Sequence, residues 1–269
     1  MRRHYLMCRP TYFAVDYAIN PWMDPTAPVD AALAIAQWTR LVEIYRDLGH
    51  EVEFIDPILG LPDMVFAANG ATVVDGTAFG VAFKHAERAA EGPAYLEWFA
   101  RAGYATQAAK AANEGEGDLL LAGDIILAGT GFRTEHAAHA EVQELFGRPV
   151  VTLQLVDPRF YHLDTALCVL RPPAGSGRPE VAYLPEAFSP GSRRVLERLF
   201  PTAIKATAAD AAVLGLNAVS DGNHVVLPVQ AAGLRERLAS EGYEPVPVDL
   251  SELRKAGGGP KCCTLEVRR

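Results

Sequence analysis

Apolar and polar positions along this chain follow one cadence several times over: a stretch with helical periodicity, then a Gly or Pro, then a short β-rich run. Five instances can be written down: Arg46-Asp-Leu-Gly-His-Glu-Val-Glu-Phe-Ile-Asp56, Ala102-Gly-Tyr-Ala-Thr-Gln107, Leu145-Phe-Gly-Arg-Pro-Val-Val-Thr-Leu-Gln154, Leu199-Phe-Pro-Thr-Ala-Ile-Lys205 and Glu241-Gly-Tyr-Glu-Pro-Val-Pro-Val248. The punctuating residues Gly49, Gly103, Gly147, Pro201 and Gly242 stand 54, 44, 54 and 41 positions apart. Upstream of each break the pattern predicts a helix. Asp30 can cap one that places Ala34, Trp38, Leu41, Tyr45 and Leu48 on a single face, and Ser189-Pro190 starts another that runs to Phe200. Between the units lie strand pairs with turn chemistry at their tips: Ala71-Thr-Val-Val-Asp-Gly-Thr-Ala, Leu119-Leu-Leu-Ala-Gly-Asp-Ile-Ile-Leu and Ala218-Val-Ser-Asp-Gly-Asn-His-Val-Val-Leu.

Each unit therefore reads strand, strand, helix, strand. Five such units, none able to bury its apolar face alone, pack most economically around a common axis, with the final strand closing against the first. The expected fold is a single α/β domain over residues 1–269, a five-fold pseudosymmetric propeller of ββαβ units. The alternative is an ordinary mixed α/β sheet.

Composition narrows the partners. The chain has 269 residues, 49% hydrophobic and 22% charged, enough to bury a substantial core and too apolar for disorder. Its net charge of −8 and the absence of like-charge runs argue against nucleic-acid binding through phosphate neutralisation and suit a cationic small molecule. The start lacks the apolar stretch of a signal peptide, and no window approaches a membrane span, so a cytoplasmic protein without membrane partners is expected. The four cysteines, Cys8, Cys168, Cys262 and Cys263, show no C-x-x-C spacing, which suggests neither zinc nor a disulfide framework. In a reducing compartment each is a core residue or a nucleophile.

A second pattern concerns polar residues at matching points near the start of each unit: Asn69, Asp118, Asp164, Asn217 and Cys262, at intervals of 49, 46, 53 and 45. Glu114 and His162 accompany Asp118 and Asp164. If the units surround an axis, these positions converge on it. Convergence collects a thiol, an imidazole, carboxylates and amides, the inventory for nucleophilic attack on a cationic, carbonyl-like carbon. A guanidinium presents planar donors that match carboxylates two at a time, so an arginine-like substrate is expected.

The motifs that carry these residues resemble the guanidine-modifying (pentein) superfamily, which includes arginine deiminases, dimethylarginine dimethylaminohydrolases, amidinotransferases and arginine dihydrolases. They are Asn20-Pro-Trp-Met, Leu61-Pro-Asp-Met-Val-Phe-Ala-Ala-Asn69, Glu114-Gly-Glu-Gly-Asp118, Gly131-Phe-Arg-Thr, Leu155-Val-Asp-Pro-Arg-Phe-Tyr-His-Leu-Asp-Thr165 and Lys255-Ala-Gly-Gly-Gly-Pro-Lys-Cys262. The resemblance implies the same five-bladed fold. It implies Cys262 as nucleophile, His162 as general acid and base, and Glu114 and Asp164 as the carboxylates that grip the guanidinium. By the same resemblance Arg88 and Arg133 hold the substrate α-carboxylate, and Asn20 lies in a loop that lids the pocket. Cys263 is also near the motif, but the spacing Cys-x-Ser/Thr in Cys262-Cys-Thr264 favours the first cysteine.

One departure bears on the product. Deiminases and dimethylaminohydrolases carry an aspartate where this chain has Asn69, and asparagine removes a charge and adds donors. Asn69 in this context is similar to the arginine dihydrolases, which take arginine to ornithine, carbon dioxide and two ammonia. That activity is the leading expectation. Hydrolysis of arginine or methylarginine to citrulline is the rival, followed by an amidinotransferase and by a non-catalytic binding protein on the same scaffold. No metal or organic cofactor is required, because the substrate supplies its own electrophile and charge. Self-association is left open.

The remaining residues take ordinary readings. Cys8, Cys168 and Cys263 are core fillers, Asp118 is equally a turn terminator and a substrate ligand, Glu116 is solvated or local, and Asp75, Asp124 and Asp221 sit at hairpin tips. His50, His85, His136, His139 and His224 have no companion spacing.

Overall fold

A computed structural model describes residues 2–171 and 179–269. Among the described residues fifteen strands are distributed over five three-stranded sheets, each built on the same plan. In chain order these are β1 (His4–Cys8), α1 (Ala31–Asp47) and β2 (Glu51–Ile55); β3 (Thr72–Val74), β4 (Thr77–Phe79), α2 (Glu91–Arg101) and β5 (Ala105–Gln107); β6 (Leu119–Ala122), β7 (Ile125–Thr130), α3 (His136–Phe146) and β8 (Val150–Gln154). There follow β9 (Leu167–Arg171), β10 (Glu180–Tyr183), α4 (Pro190–Leu199) and β11 (Ile204–Lys205), then the short α5 (Ala208–Ala211), β12 (Val219–Ser220), β13 (His224–Pro228), α6 (Ala232–Ser240), β14 (Glu244–Val248) and finally β15 (Leu265–Glu266). Each sheet pairs its first two strands antiparallel and its second and third parallel across the helix. The strand, strand, helix, strand unit expected from the cadence is therefore present five times.

The chain termini meet in one unit. β15 pairs antiparallel with β1, with Leu6 opposite Leu265, so the last strand of the sequence supplies the first strand of the sheet that β1 and β2 complete. First strands are short and buried, whereas third strands such as β5 lie exposed at the edge. First strands of different sheets also touch one another, β15 with β3, β6 with β9 and β9 with β12.

Local chemistry sets the element ends. Asp30 caps α1 by accepting from the Leu33 amide at 2.9 Å, and the face that α1 turns inward carries Ala34, Trp38, Leu41 and Tyr45. Ser189 caps α4 with Pro190 in its first turn. Gly147 ends α3 in the left-handed conformation at φ 60° and donates back to the Gln143 carbonyl. The β3–β4 turn places Asp75 and Gly76 both at positive φ, the geometry of a tight hairpin.

Packing corrects one side-chain expectation and adds to another. Glu116, read as solvated or local, is buried and accepts from Lys261 at 2.8 Å and from Arg268, because the chain's last segment folds beside it. Asp221 does occupy a hairpin tip, but it is buried too, accepting from His224 Nδ1 at 2.8 Å and lying 3.3 Å from His50 Nε2. Two histidines far apart in sequence thus converge on one carboxylate that ties the β12–β13 turn to the start of β2.

Burial works to raise the Asp221 carboxyl, but the hydrogen bonds from His50 and His224 and from two backbone amides hold it well below the usual carboxylate range. Its folded-state pKa is lower than its unfolded value, so its stabilisation is complete above the ordinary 3.8 and fades as pH falls below that. Asp221→Asn is expected to lower stability at pH 7 by about 2 kcal/mol and to flatten the decline in melting temperature below pH 4. Thermal unfolding of both proteins across pH 2.5–7 checks this, and parallel curves would refute it.

Candidate active site

The polar residues that recur at unit starts sit in tight turns immediately before the first strands. Asn69 lies in the 3-10 turn Ala67–Gly70, Glu114 and Asp118 flank the turn Gly115–Gly117, His162 and Asp164 belong to the turn around Leu163–Thr165, Asn217 precedes β12, and Cys262 precedes β15. The first three turns pack against one another. A turn in this position exposes side chains toward a shared centre while the strand that follows anchors its backbone.

A fully buried Glu114 carboxylate is central to the cluster. It bonds His162 Nε2 at 2.7 Å and accepts from Arg133 Nη1 at 3.1 and 2.9 Å on its two oxygens. Burial works to raise its pKa, yet the hydrogen bond and charge of His162 and the guanidinium of Arg133 keep it below the ordinary carboxylate range, so Glu114 is ionised. Arg133 also donates to the Ile19 carbonyl at 2.8 Å and lies over the Tyr161 ring at 4.8 Å. The carboxylate assigned by resemblance to a substrate guanidinium is thus already bound to a guanidinium of the chain itself.

Cys262 is 2% exposed. Its amide donates to Asn217 Oδ1 at 3.0 Å, Asn217 Nδ2 donates to the sulfur at 3.1 Å, and the thiol donates to Asp164 Oδ2 at 3.4 Å. Burial and the neighbouring Asp164 carboxylate push the thiol well above its ordinary value, and the Asn217 contact only partly opposes them. Asp164 is itself raised by burial, and its Oδ1 is buried without a partner. Burial and this carboxylate thus favour the protonated thiol at Cys262.

Asn69 joins Arg88 to the Glu114 turn. Its Oδ1 accepts from Arg88 Nη1 at 2.9 Å and its Nδ2 donates to the Glu114 carbonyl at 3.3 Å. A Cβ at Gly117 would stand 2.4 Å from Asn69 Nδ2 and 3.1 Å from His162 Nδ1, so only glycine lets the turn pass between them. His162 Nδ1 is buried and has no partner among the described residues.

The other expected residues take defined places. Arg88 is buried, with a two-point pair to Glu91 at 3.0 and 2.8 Å and a further bond to the Asp63 carbonyl, so its guanidinium braces Asn69. Asp118 accepts from the Leu163 amide at 2.9 Å and from Thr134 at 2.7 Å, fixing the backbone beside His162, and burial raises it to about 6. Asn20 lies in the irregular segment between β1 and α1, donating to the Ala256 carbonyl at 3.1 Å and accepting from the Trp22 amide. The same segment carries Tyr17, whose hydroxyl donates to Asp63 at 2.9 Å.

Sequence reasoning missed three contributors. Asn217 stood in register with the cluster but received no role, although it holds Cys262 on both sides. Glu91 had no repeat position to reveal it. Asp63 lay inside a quoted motif, where nothing marked its buried, unpartnered Oδ1. Among the described residues one group has the spacing to hold a metal, His4 with Glu51 and Glu53 on β1 and β2, apart from this cluster.

With the geometry established, likeness to known proteins can be weighed. The family described as "N,N dimethylarginine dimethylhydrolase, eukaryotic" matches residues 9–171. The chain is 54% identical over 265 residues to an N(G),N(G)-dimethylarginine dimethylaminohydrolase of Mycobacterium tuberculosis, covering 98% of this chain and 86% of that one. It superposes at TM-score 0.93 and 34% identity on the N-terminal domain of ArgZ, an arginine dihydrolase from the ornithine-ammonia cycle in cyanobacteria, seen as a Cys-to-Ser variant with substrate and covering 99% of this chain and 98% of that one. A second ArgZ structure, an Asn-to-Ser variant covalently bonded to a reaction intermediate, matches at TM-score 0.92 and 34% identity over 98% of this chain and 97% of that one. The two altered ArgZ positions are 193 residues apart. Since the matched region exceeds half the sequence and the mycobacterial relative aligns almost end to end, the chain belongs to the dimethylarginine dimethylaminohydrolase family of enzymes acting on amidino groups.

Proposed function

We propose that this protein is an arginine dihydrolase, releasing ornithine, carbon dioxide and two ammonia from free arginine through a covalent Cys262 adduct. The observation that carries this reading is Asn69, a neutral amide between Arg88 and the Glu114 backbone where a citrulline-forming site is expected to hold a carboxylate. Asn69 and Cys262 are separated by 193 positions, the same interval as the Asn and Cys altered in ArgZ. In this reading the five sheets close as a propeller around the cluster and the whole of residues 1–269 acts as one catalytic domain. The four free thiols suit a cytoplasmic setting.

Substrate binding exchanges one guanidinium for another. The arginine headgroup takes Arg133's place on Glu114 and meets the unpartnered Asp164 Oδ1, while Arg133, held near Ile19 and Tyr161, turns to the substrate α-carboxylate. The incoming cation lowers the thiol pKa, so the nucleophile forms only when substrate is present. The Cys262 sulfur then bonds to the guanidinium carbon, and one terminal C–N bond breaks as His162 hands the departing ammonia its proton. Water activated by His162 cleaves the C–S bond and leaves a ureido group. Asn69 Nδ2 can donate to the urea oxygen, which an anionic aspartate cannot. Held there, the ureido carbon undergoes a second attack by the Cys262 sulfur, the bond from that carbon to Nδ breaks as His162 protonates the departing ornithine amine, and water cleaves the remaining S-carbamoyl bond to give carbamate, which falls to carbon dioxide and the second ammonia.

A second reading, dimethylarginine hydrolysis to citrulline, is favoured by the 54% identity to the mycobacterial dimethylaminohydrolase. Counting ammonia per amino-acid product from arginine and from dimethylarginine separates the two. Two ammonia with ornithine from arginine are expected; stoichiometric citrulline, or turnover of dimethylarginine alone, overturns the dihydrolase reading. Asn69→Asp is expected to divert the product to citrulline.

Two further outcomes follow from the cluster's geometry. In the free protein, alkylation of Cys262 by iodoacetamide should be slow at pH 7 and climb about tenfold per pH unit past the ordinary 9.0; peptide-resolved mass spectrometry showing a plateau by pH 8 would contradict a protonated resting thiol. Gly117→Ala should cut kcat at least tenfold by pushing Asn69 and His162 apart, roughly 1.4 kcal/mol in the barrier, while unfolding remains cooperative. An unchanged kcat would show that the close approach at Gly117 is dispensable.

A further inference from the structure

A cavity lies between the first strands of the sheets, separate from the catalytic cluster. Its volume is about 220 Å³, and its lining draws on β6, β9, β12 and β15, with none of Asn69, Glu114, His162, Asp164 or Cys262 in its wall. That is space for roughly seven waters at ~30 Å³ each, or for an organic molecule of a few carbons. Leu120, Leu167 and Leu170 supply apolar wall, and Arg3, Lys261 and Arg268 supply charge.

The charged side chains form an alternating chain. Arg3 donates to Glu266 Oε1 at 2.9 Å, Arg268 donates to Glu266 Oε2 at 2.7 Å and also to Glu116, and Lys261 donates to Glu116 Oε2 at 2.8 Å. Three cations share two carboxylates in direct ion pairs; Asp164 acts on Lys261 only from further off, and burial disfavours its charge, so the chain itself carries one more cation than anion in a largely buried setting. Glu116 is 1% exposed, whereas the Arg3, Lys261 and Arg268 side chains keep 20%, 14% and 21% of their surface. Arg3 Nε is buried with no acceptor among the described residues. A low-dielectric site with surplus positive charge, a spare donor and leucine walls selects an anion that carries apolar surface.

We propose that this cavity binds a small aliphatic monocarboxylate, whose carboxylate neutralises the Arg3–Glu266–Arg268–Glu116–Lys261 chain and whose alkyl tail lies against the leucines. The site is coupled to the catalytic cluster through two covalent neighbours. Lys261 directly precedes Cys262, and Glu116 belongs to the turn Gly115–Gly117 that follows Glu114 and passes between Asn69 and His162. An anion that draws Lys261 or Arg268 away from Glu116 therefore alters the support of the nucleophile and of the turn that spaces its partners.

Calorimetric titration of the full chain with butanoate in chloride-free buffer tests this. Saturable one-to-one binding is expected, weakened at least tenfold by Arg3→Gln, which removes the surplus charge, and by Leu121→Glu, which places a carboxylate in the cavity lining. Arg133→Gln, which removes a cation of the catalytic pocket, should leave the affinity unchanged. No saturable binding to the unaltered protein overturns the proposal even if a variant fails to fold. So does binding lost in Arg133→Gln but kept in Arg3→Gln, which would place the carboxylate in the catalytic pocket, and so does chloride binding as tightly as butanoate, which would deny the leucine walls a role.

Discussion

The cluster depends on one buried carboxylate shared by an imidazole and a guanidinium. Glu114 has no solvent to stabilise its charge, and without His162 and Arg133 burial would drive it toward the neutral acid. With them it is a fixed anion at the meeting point of two turns from different sheets. The imidazole is oriented by it, and the arginine that fills it in the free protein is chemically the same headgroup as the proposed substrate. The free protein already seats a guanidinium on this carboxylate.

The thiol is governed by the opposite logic. Cys262 is surrounded by burial and by the Asp164 carboxylate, both of which oppose a thiolate, and Asn217 supplies only a neutral donor. In the proposed mechanism such a thiol stays protonated until the charge of the bound ligand activates it. Around this pair a ring of supporting groups acts on position. Arg88 and Glu91 neutralise each other and brace Asn69, Asp118 pins the backbone at Leu163, and Gly117 sets the spacing between Asn69 and His162 by having no side chain.

Many of these groups were legible before any coordinates. The breaks at Gly49, Gly103, Gly147, Pro201 and Gly242 marked helix ends because backbone conformation there is a local matter, and Asp30 and Ser189 marked helix starts for the same reason. The common interval between Asn69, Asp118, Asp164, Asn217 and Cys262 exposed a shared position in the repeat, so convergence followed from the unit rather than from any one residue. Glu116 was misread and the burial of Asp221 at its hairpin tip went unseen, since nothing next to them in sequence announces Lys261, Arg268 or the two histidines that take them out of water.

Sequence alone determined the repeating unit, its helix caps and turns, and which residue types recur at its entrance, because these depend on short-range sterics, hydrogen bonding and periodicity. Tertiary structure decided the ionic pairings: that Arg133 rests on Glu114, that Arg88 faces Glu91 and Asn69 rather than open solvent, and that Arg3, Lys261, Glu266 and Arg268, from the two ends of the chain, line one cavity and link through Glu116. Charge pairing across tens or hundreds of residues follows from the packing of whole sheets, and the energy of a buried charge is fixed by what surrounds it in space, which no local pattern records.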